Sequence, residues 1–253
     1  MAKTSGVPDY LFYSGYDISG DVGSITRIGA PRASLPATGI NSAGGKERIQ
    51  GLSDGEIAFH SYFNDADDQE HEVLKAFATT EYVMYCRGAT LGNPCAMLVA
   101  LQMNYDWNRG TDGSLLATIQ ALGKGTDAPL EWGTQITAGK ITHSSAASST
   151  GEVTAVSTAG AAMMLEIFSL ASGTPTVLLE DSSDTTTGAD GTWATLKTFT
   201  IQTAQTAERL AVAGTVNKGV RATTTGTFSN LVFAIGMRRG TASDSEAYTG
   251  SQA

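Results

Sequence analysis

Five carboxylates crowd residues 65–72: Asp65, Asp67, Asp68, Glu70 and Glu72. Such density is where a hard cation could be held or a proton moved, since both tasks need clustered oxygen ligands or paired acids. A second acidic stretch, DSSDTTTGADG at residues 181–191, offers Asp181, Asp184 and Asp190. It lacks the alternating ligand positions and the closing bidentate Glu of a calcium loop. Both stretches have simpler accounts. Negative charge is favoured at the start of a helix, and Asp, Ser and Thr close turns on their own backbone. His60, His71 and His143 lie far apart in sequence. His71 sits between Glu70 and Glu72, which can tune its basicity, but a lone histidine on a helix is ordinarily a surface or interface residue. Cys86 and Cys95 have no metal-ligand spacing. In apolar, strand-like surroundings a reduced thiol packs as a small hydrophobe, and one bridge between the two is the alternative. No GxSxG elbow occurs, since the string GLSDG at 51–55 leads into a predicted strand and not a helix, and there is no HExxH, no P-loop and no GxGxxG between a strand and a helix. The expectation is a protein with no catalytic residue, no cofactor and no metal: not an enzyme.

The elements that would position these residues follow from composition. Charged residues are only 16% of the 253 and apolar residues 41%, and 29 glycines accompany many Ser, Thr and Ala. That mixture suits short strands and tight turns, because glycine costs a helix about 1 kcal/mol relative to Ala. The net charge is −9, and both halves are acidic. Without a basic run, specific binding to nucleic acid or to an anionic membrane is not expected. A negative wall would instead let a duplex pass without holding it. No apolar run matches a signal peptide or a membrane span, so synthesis in a cytoplasm is expected.

Short apolar runs or alternation, with Gly, Asp or Asn near the ends, predict strands at 9–14, 22–28, 56–63, 81–86, 96–104 and 114–122, with a hairpin turn at Asp112–Gly113. Between Phe63 and Thr79 the period becomes helical: Asn64 or Asp65 is placed to cap, and Val73, Leu74 and Phe77 recur on one side. The stretch 29–51 holds two prolines and several glycines, which excludes a central strand and predicts a long mobile loop. Residues 144–160 contain no aromatic side chain. The domain expectation is therefore 1–142, a linker or domain edge at 143–160, a β-sandwich at 161–240, and a flexible tail at 241–253. Six further strands, at 161–170, 176–180, 193–201, 208–212, 219–223 and 228–237, are spaced as in jelly-roll or Greek-key sandwiches.

Several segments, taken in order, resemble the major tail proteins of long-tailed bacteriophages. They are YDISGDVGSI at 16–25, ERIQGLSDGEI at 47–57, the run 59–64, DGSL at 112–115, LEWG at 130–133 and ITAGK at 136–140. The likeness spans much of 9–142, and Phe228-Ser229-Asn230 before an apolar strand more weakly resembles the sandwich module some such proteins carry. It implies an all-β tail-tube-type β-sandwich or partly open barrel with one short helix, followed by a second, jelly-roll-like β-sandwich. It also implies homohexameric rings stacked into a tube, with DNA only in passage and no membrane, and with partners such as the tape measure and terminator proteins. The location implied is the virion tail, after synthesis in the host bacterial cytoplasm. In that family a long loop reaches the neighbouring ring. Here the loop would bring Arg32, Asn41, Lys46, Glu47 and Arg48 to an adjoining subunit.

Two other functions fit the composition. The second sandwich could grip a host-surface carbohydrate, for which Trp193 and Tyr248 are the candidate stacking rings. A capsid decoration protein shares the composition, and the tube-like first half argues against it.

Overall fold

The computed structural model describes residues 8–38, 44–125, 130–200 and 203–240. They are nearly all β, in antiparallel sheets without a closed barrel, with one short helix. Among them no helix is long and apolar enough to cross a membrane.

The first part of the chain supplies β1 (Tyr10–Tyr13), β2 (Tyr16–Asp17), β3 (Val22–Gly29), β4 (Arg32–Pro36), β5 (Arg48–Ser53) and β6 (Glu56–Tyr62). After α1 (Glu70–Leu74) come β7 (Glu81–Cys86), β8 (Pro94–Arg109), β9 (Leu115–Gly123) and β10 (Glu131–Gln135). The long β8 organises this part. Its first half pairs with β7 and β10, and its second half with β9. A register shift between Gln102 and Asn104 bends it between the two roles. β9 continues to β6 and β6 to β3, so β3–β6–β9 lies opposite β1–β7–β8. Strand alternation then sorts the side chains. Val83 and Tyr85 of β7, with Ala96 and Leu98 of β8, meet Ile57, Phe59 and Ile119 in one core. The intervening Met84, Cys86, Cys95 and Met97 face the other way, into a second core with Phe12, Met164 and Ala234.

The remaining strands are β11 (Ile141–His143), β12 (Ala147–Ser148), β13 (Glu152–Val153), β14 (Ala161–Gly173) and β15 (Thr176–Ser182). They continue with β16 (Ala194–Thr198), β17 (Thr206–Val212), β18 (Gly219–Thr225) and β19 (Phe228–Arg239). β14 pairs with β17 and β19, and β10 joins β19 to β8. One sheet therefore runs from β17 through β10 to β2. A second sheet of β12, β13, β15, β16 and β18 covers it. Between them Met163, Leu165, Phe233 and Ile235 pack on Val177, Leu179, Val220 and Ala222 as a third core. Burying such a side chain contributes roughly 1.5–3 kcal/mol. Every residue of Ala161–Ile167 is buried because β14 is packed on both faces, which is why its sequence, Glu166 apart, is one apolar run rather than an alternation.

The β10 junction depends on glycine. A Cβ on Gly133 would lie 2.2 Å from the Met237 carbonyl oxygen, and one on Gly236 would meet Cys95 Sγ, Met84 Sδ and Met97 Sδ at 2.8–2.9 Å.

Several expectations need correction. The helix is shorter than the 63–79 pattern and is preceded by Gln69, not capped by Asn64 or Asp65. Asn64 is otherwise engaged: its Nδ2 donates to Asp21 Oδ1 (2.9 Å) and its Oδ1 accepts from Ala66 N (3.2 Å). Phe77 lies beyond the helix, exposed, in the left-handed region at φ 46°. The 29–51 segment is not a loop throughout, because β4 and β5 pair in it as a two-stranded ribbon. Prolines excluded a central strand correctly, but Pro31 precedes the ribbon and Pro36 ends β4, where no ladder bond is lost. Within 143–160, β12 and β13 pair with β18, and His143 with Leu231 of β19.

Candidate assembly surface

The β4–β5 ribbon pairs with neither of the other sheets. All its strand residues are exposed except the half-buried Gly51. An isolated two-stranded ribbon is marginal in water at best, so what it presents matters. Leu35 and Ile49 are directly opposite and therefore share a face; they are 50% and 60% exposed, and Leu52 is 88% exposed. Its base is tied down where Asp54 N donates to Pro31 O (3.0 Å) and Ser53 Oγ to Ala30 O (3.4 Å). The ribbon is thus a fixed, uncovered, partly apolar arm.

Its charge differs from the rest of the chain. Arg32, Lys46 and Arg48 against Glu47 give residues 32–53 a net +2, so the remainder carries −11 of the total −9. Arg32 lies on β4, Arg48 opens β5 opposite Pro36, and Lys46 and Glu47 just precede it, all exposed. Glu47 N donates to Thr38 Oγ1 (3.0 Å), and Ala37 N donates to Glu47 O (3.0 Å). Among the described residues, Arg32, Lys46 and Arg48 make no ion pair. Asn41 lies outside the described residues.

A second feature lies beside the ribbon's root. Among the described residues β3 pairs only with β6, and β1 pairs with β2 only over Phe12 and Tyr13. Between them is a slot with a cavity volume of about 620 Å³, lined by Tyr10, Leu11, Val22, Ile25, Ile28 and Tyr85 among others. The β1 edge is partly closed: Leu11 N donates to Ser19 Oγ (2.9 Å), whose hydroxyl in turn donates to Asp17 Oδ1 (2.5 Å). Two bulges interrupt β3. Both devices keep strand edges from pairing indiscriminately. Asp9 stands at the slot, accepting from Tyr85 Oη (2.5 Å) and Gly88 N (3.2 Å). Arg27, the slot's cation, is already paired with Glu56 at 2.9 Å.

The first and last parts of the chain are locked together by buried polar groups that sequence patterns did not reveal. Ser14 and Gly15 both have positive φ and form the two-residue turn between β1 and β2. Gly15 N donates to Glu166 Oε2 on β14 (2.5 Å), and Gln205 Nε2 donates to Gly15 O (2.8 Å). Glu166 is wholly buried and its Oε1 has no partner; burial first, then the charge of Glu81, pushes its pKa well above the usual carboxylate range. Nearby in the fold, Arg209 of β17 grips Glu131 of β10 through Nε (2.9 Å) and Nη2 (2.8 Å), both side chains almost fully buried. A lone acid inside an apolar run carries no sign of its partner, which lies 151 residues away.

The residues that suggested chemistry are elsewhere and apart. Asp190 accepts from the hydroxyls of Thr185, Thr186 and Thr187, and Asp184 from Ser182 Oγ and Thr192 N. These bonds hold both carboxylates below their ordinary pKa. Among the described residues no group of three or more His, Cys, Asp or Glu is placed to hold a metal. Glu70 is buried against Ser61 Oγ (2.8 Å), and desolvation raises its pKa, while Asp65, Asp67 and Asp68 are exposed before the helix. His71 Nδ1 lies 2.8 Å from Tyr105 Oη, within an aromatic group that includes Phe63 and Trp107. Cys86 and Cys95 are free, buried and directly opposite on β7 and β8, and burial raises both thiols, Cys95 to about 12. Trp193 precedes β16; the Arg221 guanidinium covers one face at 4.4 Å and its ring N–H donates to Asp190 O (3.1 Å). Tyr248 lies outside the described residues.

Comparison with known proteins gives the following. No protein-family model and no curated protein matches the sequence. Among solved structures, a chain in the virion of a native gene transfer agent particle overlaps 47% of this chain and 94% of its own, at 15% identity and a TM-score of 0.38. A chain in the tail of an empty gene transfer agent particle, which has C6 symmetry, overlaps 42% and 79%, at 14% identity and a TM-score of 0.34. The SPP1 Dit protein, a hub of the adsorption apparatus in phages infecting Gram-positive bacteria, overlaps 92% and 99%, at 10% identity and a TM-score of 0.32. Overlaps this loose leave function to be argued from the chain's own residues.

Proposed function

We propose that this chain is a non-enzymatic structural subunit of a phage tail, and that its copies assemble into stacked rings forming a tube for DNA. The observation that carries the reading is the uncovered β4–β5 ribbon. A folded protein does not keep a basic, partly apolar two-stranded arm away from its three cores unless something covers it. A second copy suits the charge, because the rest of the chain is strongly acidic. The ordered resemblance of residues 9–142 to major tail proteins supports the same view. In this reading 1–142 is the tube unit and 161–240 an outer unit, built on the one sheet they share. Arg32, Asn41, Lys46, Glu47 and Arg48 meet an adjoining subunit, and DNA passes an acidic assembly without being held. Tape measure and terminator proteins are the further partners proposed, and the virion tail is the location.

Sedimentation and negative-stain electron microscopy of the full chain test the proposal. Rings or tubes are expected. A monomer that persists at high concentration and low salt overturns it.

A further inference from the structure

We propose that the slot between β1 and β3 of one copy receives the β4–β5 ribbon of another. This rests on the self-assembly reading and adds the receiving surface. The ribbon shows what must be covered: Leu35 and Ile49 side by side on one face, with Arg32, Lys46 and Arg48 close by. The slot shows what can cover it. Its walls are half-buried apolar side chains, Tyr10, Val22, Ile25 and Ile28; among the described residues its charged lining groups are Asp9 and Arg27, and Arg27 is paired with Glu56 while Asp9 makes no ion pair. Apolar face meets apolar wall and basic arm meets acidic mouth.

The slot is also long enough, for β3 has eight residues and β5 six. The bulges of β3 and the Ser19 cap on Leu11 leave this edge unsuited to indiscriminate strand addition, so a specific ribbon fits better than an arbitrary strand. Ribbon and slot are different patches of one molecule. A contact between them is head-to-tail, which yields closed rings or filaments rather than an isolated dimer.

That asymmetry supplies the test. Leu35→Glu/Ile49→Glu disables the ribbon, and Ser24→Arg/Thr26→Arg fills the slot with bulk and charge. Leu35 and Ile49 lie on the ribbon, Ser24 and Thr26 at the slot, and all four are exposed, so each variant should keep the wild-type circular dichroism and melting temperature. Each variant alone should lose the wild-type oligomer in sedimentation velocity, with dissociation constants raised roughly tenfold or more. Mixed one to one, an intact ribbon meets an intact slot, and a heterodimer should form that neither variant gives alone. A ribbon variant that assembles like the wild type, or a mixture that stays monomeric, overturns this contact and leaves self-assembly standing. A monomeric wild type removes both.

Discussion

Among individual residues, Glu166 and the Arg209–Glu131 pair make the sharpest predictions. Burial raises the Glu166 pKa in the folded state, so the folded protein holds a proton that the unfolded chain releases near pH 4.3. Its contribution is complete below that pH and is lost as pH rises towards the folded value. Glu166→Gln keeps an acceptor for Gly15 N–H and removes the ionisation. The variant's melting temperature should therefore gain on the wild type progressively between pH 4 and 8; a gap that stays constant or closes over that range would falsify this account. Arg209→Met should cost about 3–5 kcal/mol in denaturant unfolding, because Glu131 is then left buried and unpaired. Arg209→Met with Glu131→Leu should recover much of that loss, and no recovery would mean that the pair does more than neutralise itself.

For single elements, the decisive strand is β10. It is only five residues long, yet it carries the hydrogen bonds from β8 to β19. Gly133→Ala drives a Cβ onto the backbone oxygen of Met237, which cannot move without breaking the ladder, whereas Gly236→Ala meets sulfur atoms, two of them at the ends of flexible methionines. The expected order of destabilisation is Gly133→Ala well above Gly236→Ala, the former at roughly 1–3 kcal/mol or more by urea titration. Gly20→Ala, which meets nothing within 4 Å, should be near neutral. A reversed order would show that the junction is looser than its geometry. The ribbon behaves in the opposite way, for its exposed residues should tolerate substitution in the monomer and matter only in the assembly.

The whole molecule is a stack in which neighbouring layers share strands. Because one sheet passes through both halves, calorimetry should show a single cooperative transition, and two separated transitions would mean that the β10 junction is weak. Assembly should weaken as salt is raised from low ionic strength to about 0.5 M, since a basic ribbon meeting an acidic neighbour is screened over a Debye length of about 10 Å at 0.1 M. Sedimentation across that range checks it, and an oligomer indifferent to salt would argue for a contact that is apolar throughout.

Sequence by itself determined the all-β class and most long strands, because alternation and turn residues are local properties: 81–86 matches β7 residue for residue, and 22–28, 114–122 and 161–170 lie within a few residues of their strands. It also marked 29–51 as something other than a central strand. Tertiary structure alone decided how the pieces meet. β10 was invisible as a strand because Gly133 and Trp132 interrupt its pattern, and Glu166 and Arg209 show no sign of burial until sheets stack around them. The ribbon's pairing was hidden because a strand exposed on both faces needs no alternation, and alternation arises only where one face is buried.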